Sequence, residues 1–306
     1  MTRSNRLRIG TRHSALAIYQ AKAVQEALQQ INIDTEIIEI TSDGDVDLVT
    51  PLYEMGIQGI FTKTLDVALL ESRIDLAVHS TKDVPTRQAK GLTLSATLPR
   101  ATPFDCLVLP KGQSVLDFSA TNIIATSSLR RKLQWLNRYP EHQTESLRGN
   151  IQTRLSKLDS SGWQGAIFAQ AALERLRVTS NAFITLDWML PSPAQGAIGI
   201  VCRENDSFAL EACRAINHQE TEICISIERD FLAVLHGGCS VPIAAYAFME
   251  GDDIRFHGNI MSLDAKQKCE VQLSFARDEA QHAGQLAAKK ILSQGAEVMI
   301  KTFKRS

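Results

Sequence analysis

Four arginines stand where the chain passes from an extended run into a helical one: Arg130 and Arg131 in Thr126-Ser-Ser-Leu-Arg-Arg131, then Arg148 and Arg154 in Ser146-Leu-Arg-Gly-Asn-Ile-Gln-Thr-Arg154. A helix start carries about half a unit of positive charge and several unpaired N–H groups, so it attracts Asp or Glu and disfavours Arg. Cations at that position call for an anion opposite them. The same arrangement appears earlier, as Thr11-Arg-His-Ser14 after Leu7-Arg-Ile9 and as His79-Ser-Thr-Lys-Asp83 after the apolar run Ile74 to Val78. Strand ends that repeatedly carry Ser or Thr with Arg or Lys point to one cleft for a ligand with several carboxylates or phosphates. Solvated surface arginines are the alternative for Arg130 and Arg131, and the recurrence of the pattern weighs against it.

Two further residues could do chemistry. Cys239 lies in His236-Gly-Gly-Cys-Ser-Val-Pro242, where two glycines remove flanking side chains and permit tight backbone geometry. It reads either as a reactive thiol on a loop or as a small apolar residue beside a turn. Cys106, Cys202, Cys213, Cys224 and Cys269 read as packing residues in apolar strands or on helix faces. Asp83, next to Lys82 just past an apolar strand, suits proton transfer or stabilisation of a developing cation. An Asx-turn before Val84-Pro85 is the alternative for Asp83, and a hydrogen-bonded core position is the reading for His79.

The elements that must position these groups follow an alternating β/α plan. Ala17, Ala21, Val24 and Leu28 line one face of a first helix capped by Ser14; Glu36 to Thr41 reads as a strand, Phe61 to Glu71 as a helix and Ile74 to His79 as a strand. Pro99 and Pro103 mark a hinge or boundary. Beyond it, Asp105 to Leu109, Ile123 to Ala125, the helices Leu129 to Asn137 and Ile151 to Leu158, and the strand Gly165 to Ala169 form a second α/β unit. Ala197 to Cys202 is a buried strand able to return to the first unit. After a helix from Glu220 to Leu235, the alternating segments Val241 to Phe248, Ile254 to Met261 and Lys268 to Phe275 predict a small antiparallel sheet, closed by a helix over Asp278 to Gln294.

Composition narrows the function classes. In 306 residues, 33 Lys+Arg stand against 34 Asp+Glu, a net charge of -1, so no global field draws nucleic acid or membrane. No segment has the apolar core of a signal peptide or the length to span a bilayer, which predicts a cytoplasmic chain. The six cysteines show no Cys-x-x-Cys pair and no zinc spacing, so reduced thiols are expected. Asp43-Gly-Asp-Val-Asp47 with Glu54 has an acidic spacing like that of a calcium loop, but Leu48 stands where the turn glycine belongs, and no metal site is expected. No dinucleotide fingerprint, phosphate loop or nucleophile elbow is present.

Taken together and in order, six strings resemble the porphobilinogen deaminase (hydroxymethylbilane synthase) family: Gly10-Thr-Arg-His-Ser-Ala-Leu-Ala17, Val78-His-Ser-Thr-Lys-Asp-Val-Pro85, Ala125-Thr-Ser-Ser-Leu-Arg-Arg131, Ser146-Leu-Arg-Gly-Asn150 with Thr153-Arg-Leu-Ser-Lys-Leu158, Gln195-Gly-Ala197 and Gly237-Gly-Cys239. The resemblance implies an α/β fold of two periplasmic-binding-protein-like domains with a cleft between them, residues 1–100 with 197–217 and residues 104–191. It also implies a C-terminal α+β cofactor-attachment domain over 220–306 with a three-stranded antiparallel sheet. It implies a dipyrromethane cofactor joined to Cys239 by a thioether and built from the enzyme's own substrate. Four porphobilinogen units are then added with loss of ammonia, and hydrolysis releases hydroxymethylbilane. Each pyrrole brings an acetate and a propionate, so many fixed donors are needed, and arginine supplies paired N–H groups in carboxylate geometry.

On this resemblance Asp83 is the catalytic carboxylate. Lys82, Ser80, Thr126, Ser128, Arg130 and Arg131 hold the cofactor, and Arg12, Ser14, Arg148, Arg154 and Arg175 hold substrate. The expected partner is porphobilinogen, with no nucleic acid and no membrane, and the expected state is a monomer. Two places depart from the family. Tyr53-Glu-Met-Gly-Ile-Gln-Gly-Ile-Phe61 has Glu54 and Gln58 where relatives often carry lysine, although Phe61 matches, and Pro193-Ala194 precedes Gln195 where many relatives have glycine. The rival readings are a non-catalytic carboxylate-binding or ligand-sensing two-lobed protein, which leaves Gly237-Gly-Cys239 without a use, and a phosphate-handling transferase, for which no phosphate loop is present.

Overall fold

The computed structural model describes residues 6–41, 62–235 and 241–303. Their backbone falls into two compact units, one formed by residues 6–41, 62–101 and 196–222, the other by 102–195, 223–235 and 241–303. Among the described residues, no helix is long and apolar enough to cross a membrane.

In the first unit, β1 (Leu7–Thr11), α1 (Ala15–Gln30), β2 (Thr35–Glu39), α2 (Lys63–Leu70), β3 (Leu76–Ser80) and β4 (Leu92–Thr97) follow in order. In the second unit come β5 (Asp105–Val108), β6 (Ile123–Ala125), α3 (Leu129–Arg138), β7 (Gln143–Glu145), α4 (Ile151–Ser160), β8 (Gly165–Ala169), α5 (Gln170–Arg175) and β9 (Phe183–Leu186). The chain then returns to the first unit with β10 (Ile198–Arg203) and α6 (Ser207–Ile216).

The first sheet has the order β2-β1-β3-β10-β4, and the second β7-β6-β8-β5-β9. Each has a parallel core, β1 with β2 and β3, and β6 with β7 and β8. Each also has one antiparallel strand next to that core: β10 against β3 and β4, and β5 against β8 and β9. The sheets are therefore mixed, whereas a plain β/α alternation implies parallel strands; the antiparallel member in each comes from the stretch of chain that crosses between units.

Both sheets are covered on two faces. Leu7, Ile9 and Ile200 pack with Val24 and Leu28 of α1 and Cys213 of α6, while Ala77 and Val201 on the opposite face pack with Leu65 and Leu69 of α2. In the second sheet, Val108 and Phe168 meet Leu158 of α4 and Leu173 of α5, and Leu107 and Ile167 meet Trp135 of α3. Burial of each large aliphatic side chain contributes roughly 1.5–3 kcal/mol, which locks helices and strand ends in place.

The remainder is α7 (Gln219–Val234), the hairpin strands β11 (Ile243–Glu250) and β12 (Asp253–Met261), then β13 (Lys268–Ala276), α8 (Ala280–Ile291) and α9 (Glu297–Phe303). The three strands form the antiparallel sheet that their alternation predicts, packed through Ile254, Phe256 and Val271 against Phe231 and Ile291. Within the second unit this module is joined to the α/β layer by Leu133 against Met261 and Ala265, and by the Asn137 amide donating to the Ala265 carbonyl at 2.8 Å.

The approach of α8 to α7 depends on one missing methyl group. A Cβ on Gly284 would lie 2.3 Å from the Ile227 carbonyl oxygen and 3.0 Å from the Phe231 nitrogen, both backbone atoms that cannot rotate away. Gly284→Ala is therefore expected to destabilise the protein by about 1–3 kcal/mol despite its better helix propensity. A lower denaturant midpoint checks this; an unchanged or raised midpoint contradicts it.

Candidate active site

In the first unit, the carboxyl ends of parallel neighbours β1 and β3 lie on one sheet edge, with Ile9 opposite Leu76 and Gly10 opposite Ala77. Arg12 follows β1 directly, half-buried, and Ser14 caps α1 by accepting from the Ala17 N–H at 3.3 Å. At the end of β3, the Ser80 hydroxyl accepts from the Gln20 amide at 2.8 Å. A single 3₁₀ turn, Thr81–Asp83, carries Lys82 and Asp83, both half-buried. Thr81 anchors the turn by donating its N–H at 3.0 Å and its hydroxyl at 3.1 Å to the Ala197 carbonyl. The Asp83 carboxylate makes no hydrogen bond to a described residue, so the Asx-turn alternative is not what the backbone uses there.

His79 sits in the core, as its position in an apolar strand predicts, but without the expected hydrogen bond: its buried Nε2 has no partner among the described residues. Burial, reinforced by the nearby Arg12 guanidinium, pushes its pKa down to about 4, which keeps the imidazole neutral at physiological pH.

In the second unit, the ends of parallel β6 and β7 are stitched together by Ser127. Its hydroxyl lies 2.8 Å from that of Ser146 and accepts from the Leu147 N–H at 2.9 Å. This brings the turn holding Thr126 and Ser128 beside the turn holding Arg148. Ser128 caps α3, its Oγ accepting from the Arg131 N–H, and Asn150 caps α4 by accepting from the Thr153 N–H at 2.9 Å. Gly149 between them has φ of +116°, and a Cβ there would meet the Thr153 side chain at 2.7 Å, so glycine is required. Its carbonyl accepts from Arg154 Nε at 2.7 Å, which turns Arg154 back toward the Arg148 turn. Arg148 and Arg154 are half-buried; Arg175, also half-buried, ends α5.

Arg130 and Arg131 differ from the sequence expectation. Both side chains are buried, and the anion facing them is internal: Asp105, the first residue of β5. Arg130 Nη2 donates to Asp105 Oδ2 at 2.7 Å; Arg131 donates to Oδ1 from Nη2 at 2.7 Å and from Nε at 3.1 Å. The Gln195 amide adds a donor to Oδ1 at 2.8 Å. Arg130 Nη1 and Arg131 Nη1 also donate to the Leu190 and Ile167 carbonyls at 2.7 and 3.0 Å. Burial alone would raise the Asp105 pKa, but the two guanidiniums overcome it and hold the carboxyl well below the usual carboxylate range. The Arg130 pKa is lowered by burial and by Arg131, against the pull of Asp105.

Asp105 is the site residue that sequence reasoning missed. The available signal was an acid opening the apolar run Asp105-Cys-Leu-Val-Leu109 two residues after Pro103. Ala194, in the Pro193-Ala194 pair before Gln195, keeps a left-handed backbone with φ of +60°. Its N–H donates to the buried Glu228, which helps an alanine hold a conformation glycine adopts more readily. Cys106, Cys202, Cys213 and Cys224 are buried; burial pushes the Cys106 thiol up to about 12, whereas hydrogen bonding with Cys213 lowers the Cys202 thiol to about 7. Cys239 and the 53–61 segment with Glu54 and Gln58 lie outside the described residues, as does Asp43 to Asp47.

Residues 7–211 match the family model described as porphobilinogen deaminase, dipyromethane cofactor binding domain, and residues 222–293 match that of the porphobilinogen deaminase C-terminal domain. The chain belongs to the porphobilinogen deaminase family. A porphobilinogen deaminase of Syntrophotalea carbinolica is 38% identical over 298 residues, covering 96% of this chain and 95% of that protein. The chloroplastic porphobilinogen deaminase of Oryza sativa subsp. japonica is 40% identical over 267 residues, covering 84% of this chain and 75% of that one. A solved periplasmic VFT2 domain of Bordetella pertussis BvgS shares 10% identity at a TM-score of 0.41, over 69% of this chain and 86% of its own.

As a member of this family the chain is a transferase with a dipyrromethane-binding domain, and the residues present fit such a group. Two buried guanidiniums share one carboxylate, which leaves a unit of positive charge and several N–H donors free for a carboxylate from a ligand. Thr126 and Ser128 add hydroxyls at the same strand end.

Proposed function

We propose that this chain joins four porphobilinogen molecules head to tail, with loss of ammonia, on a dipyrromethane primer attached to Cys239 by a thioether, and releases hydroxymethylbilane. The observation that carries this reading is the set of cations and hydroxyls at the carboxyl ends of the parallel strands of each sheet, in a chain of this family. The cofactor, when bound, supplies the pyrrole end from which the chain grows.

Arg130, Arg131, Thr126 and Ser128, with Ser80 and Lys82, hold the cofactor's carboxylates. Arg12, Ser14, Arg148, Arg154 and Arg175 hold those of the incoming and growing units, since each guanidinium can present two parallel N–H groups to one carboxylate. Asp83 keeps its carboxylate on a turn anchored through Thr81, with no hydrogen bond to a described residue competing for it. It stabilises the positive charge that develops on porphobilinogen as ammonia leaves, and it accepts and returns protons at the pyrrole N–H. Residues 220–306 serve as the attachment domain, and the protein works as a cytoplasmic monomer.

The arginines should divide by stage, because the cofactor must be seated before any chain can grow. Arg130→Ala or Arg131→Ala is expected to impair cofactor loading, whereas Arg148→Ala or Arg154→Ala should load and then stall during elongation. Intact mass spectra of each variant before and after porphobilinogen resolve the stages. Normal loading and elongation in all four would show that these arginines do not hold the pyrrole carboxylates.

A further inference from the structure

We infer that Asp105 is a positioning residue for cofactor loading: it sets the orientation in which Arg130 and Arg131 present their remaining N–H groups to a ligand carboxylate. The inference rests on the reading that these two arginines bind the cofactor.

The geometry is that of a preset receptor rather than a simple neutralising pair. Asp105 is fully buried, and both its oxygens are committed, Oδ2 to Arg130 and Oδ1 to Arg131 and Gln195. Each guanidinium is held on a second side by a backbone carbonyl, Leu190 for Arg130 and Ile167 for Arg131. Neither can swing without breaking two kinds of contact, so their orientation is fixed before any ligand arrives, which lowers the ordering cost of binding.

Donor counting points the same way. A guanidinium has five N–H groups. Arg130 uses one on each Nη, and Arg131 uses Nε and one on each Nη, so both retain donors. Here one anion aligns two cations in the first turn of α3, where the helix dipole already disfavours positive charge. Unmet positive charge at a buried helix start is what a ligand carboxylate relieves. The register explains how Asp105 reaches this edge: β5 runs antiparallel to β8, with Asp105 opposite Ala169, so its first residue stands at the carboxyl end of the parallel strands.

The test uses full-length apo-protein incubated with porphobilinogen, with the cofactor-loaded fraction followed by intact mass over time. Asp105→Glu keeps the charge but moves the carboxylate by about one methylene, a shift on the scale at which positioning fails. It is expected to melt close to the wild type yet load at least tenfold more slowly, a change that charge neutralisation alone would not produce. Loading within twofold of the wild type overturns the proposal. Should Asp105→Glu not fold, Gln195→Met takes its place: it preserves both ion pairs, removes a donor that fixes the Asp105 carboxylate, and should slow loading at least threefold, with an unchanged rate overturning the proposal. Arg130→Ala and Arg131→Ala run in parallel. If they load normally, the cofactor-binding reading fails and the inference with it; if they do not load while the Asp105 variant loads normally, the inference alone fails.

Discussion

Asp83→Asn is expected to lower turnover by roughly 10²–10³-fold, the range found when one preorganised electrostatic group is removed from an active site. The substitution removes a charge while nearly preserving shape. Because the carboxylate bonds to no described residue and the turn is held instead by Thr81, the melting temperature should stay close to that of the wild type. The loss should fall on kcat, with KM for porphobilinogen little changed, since the charge is needed where positive charge develops and not where substrate carboxylates are bound. Cofactor loading draws on the same chemistry and should slow in proportion. Near-normal tetrapyrrole formation by this variant would remove Asp83 from the mechanism; a collapse in stability would mean that the carboxylate has a structural role.

Much of the framework that carries the candidate site was legible because it consists of strand ends and helix caps, which are local signals. Ser14 caps the helix that its position predicts, and the strand Gly165–Ala169 has the bounds that its apolar run suggests. The three antiparallel strands of the C-terminal module are visible in their period of two. Elements whose stability comes from pairing rather than pattern were not legible. Gln143–Glu145 is an edge strand of polar residues, held by its ladder with β6, and Phe183–Leu186 is an edge strand with a partly exposed phenylalanine. The mixed direction of both sheets was likewise hidden, because it depends on where the chain crosses between units.

Asp105 shows the limit most clearly. Its partners Arg130, Arg131 and Gln195 lie 25, 26 and 90 residues away. No local spacing relates an acid before a strand to arginines in a helix two elements later, so Arg130 and Arg131 read as cations waiting for a ligand alone. The structure instead gives them an internal anion and leaves half of the charge unmatched. A similar limit governs Ala194: an alanine gives no local sign of the left-handed φ of +60° that its backbone takes.

The central claim is that Cys239 carries the primer, and an intact mass spectrum of purified protein under denaturing, reducing conditions tests it most directly. A thioether survives both treatments, whereas a disulfide is reduced and a bound ligand is lost. The protein should weigh more than its sequence by a two-pyrrole adduct, mapped by peptide analysis to Cys239 and to none of the other five cysteines. Cys239→Ser should lack both the adduct and tetrapyrrole synthesis, while serine at Cys106, Cys202, Cys213, Cys224 or Cys269 should at most alter stability. An unmodified Cys239 in protein that still makes tetrapyrrole from porphobilinogen would contradict the account, and an unmodified, inactive protein after incubation with porphobilinogen would favour a non-catalytic binding role.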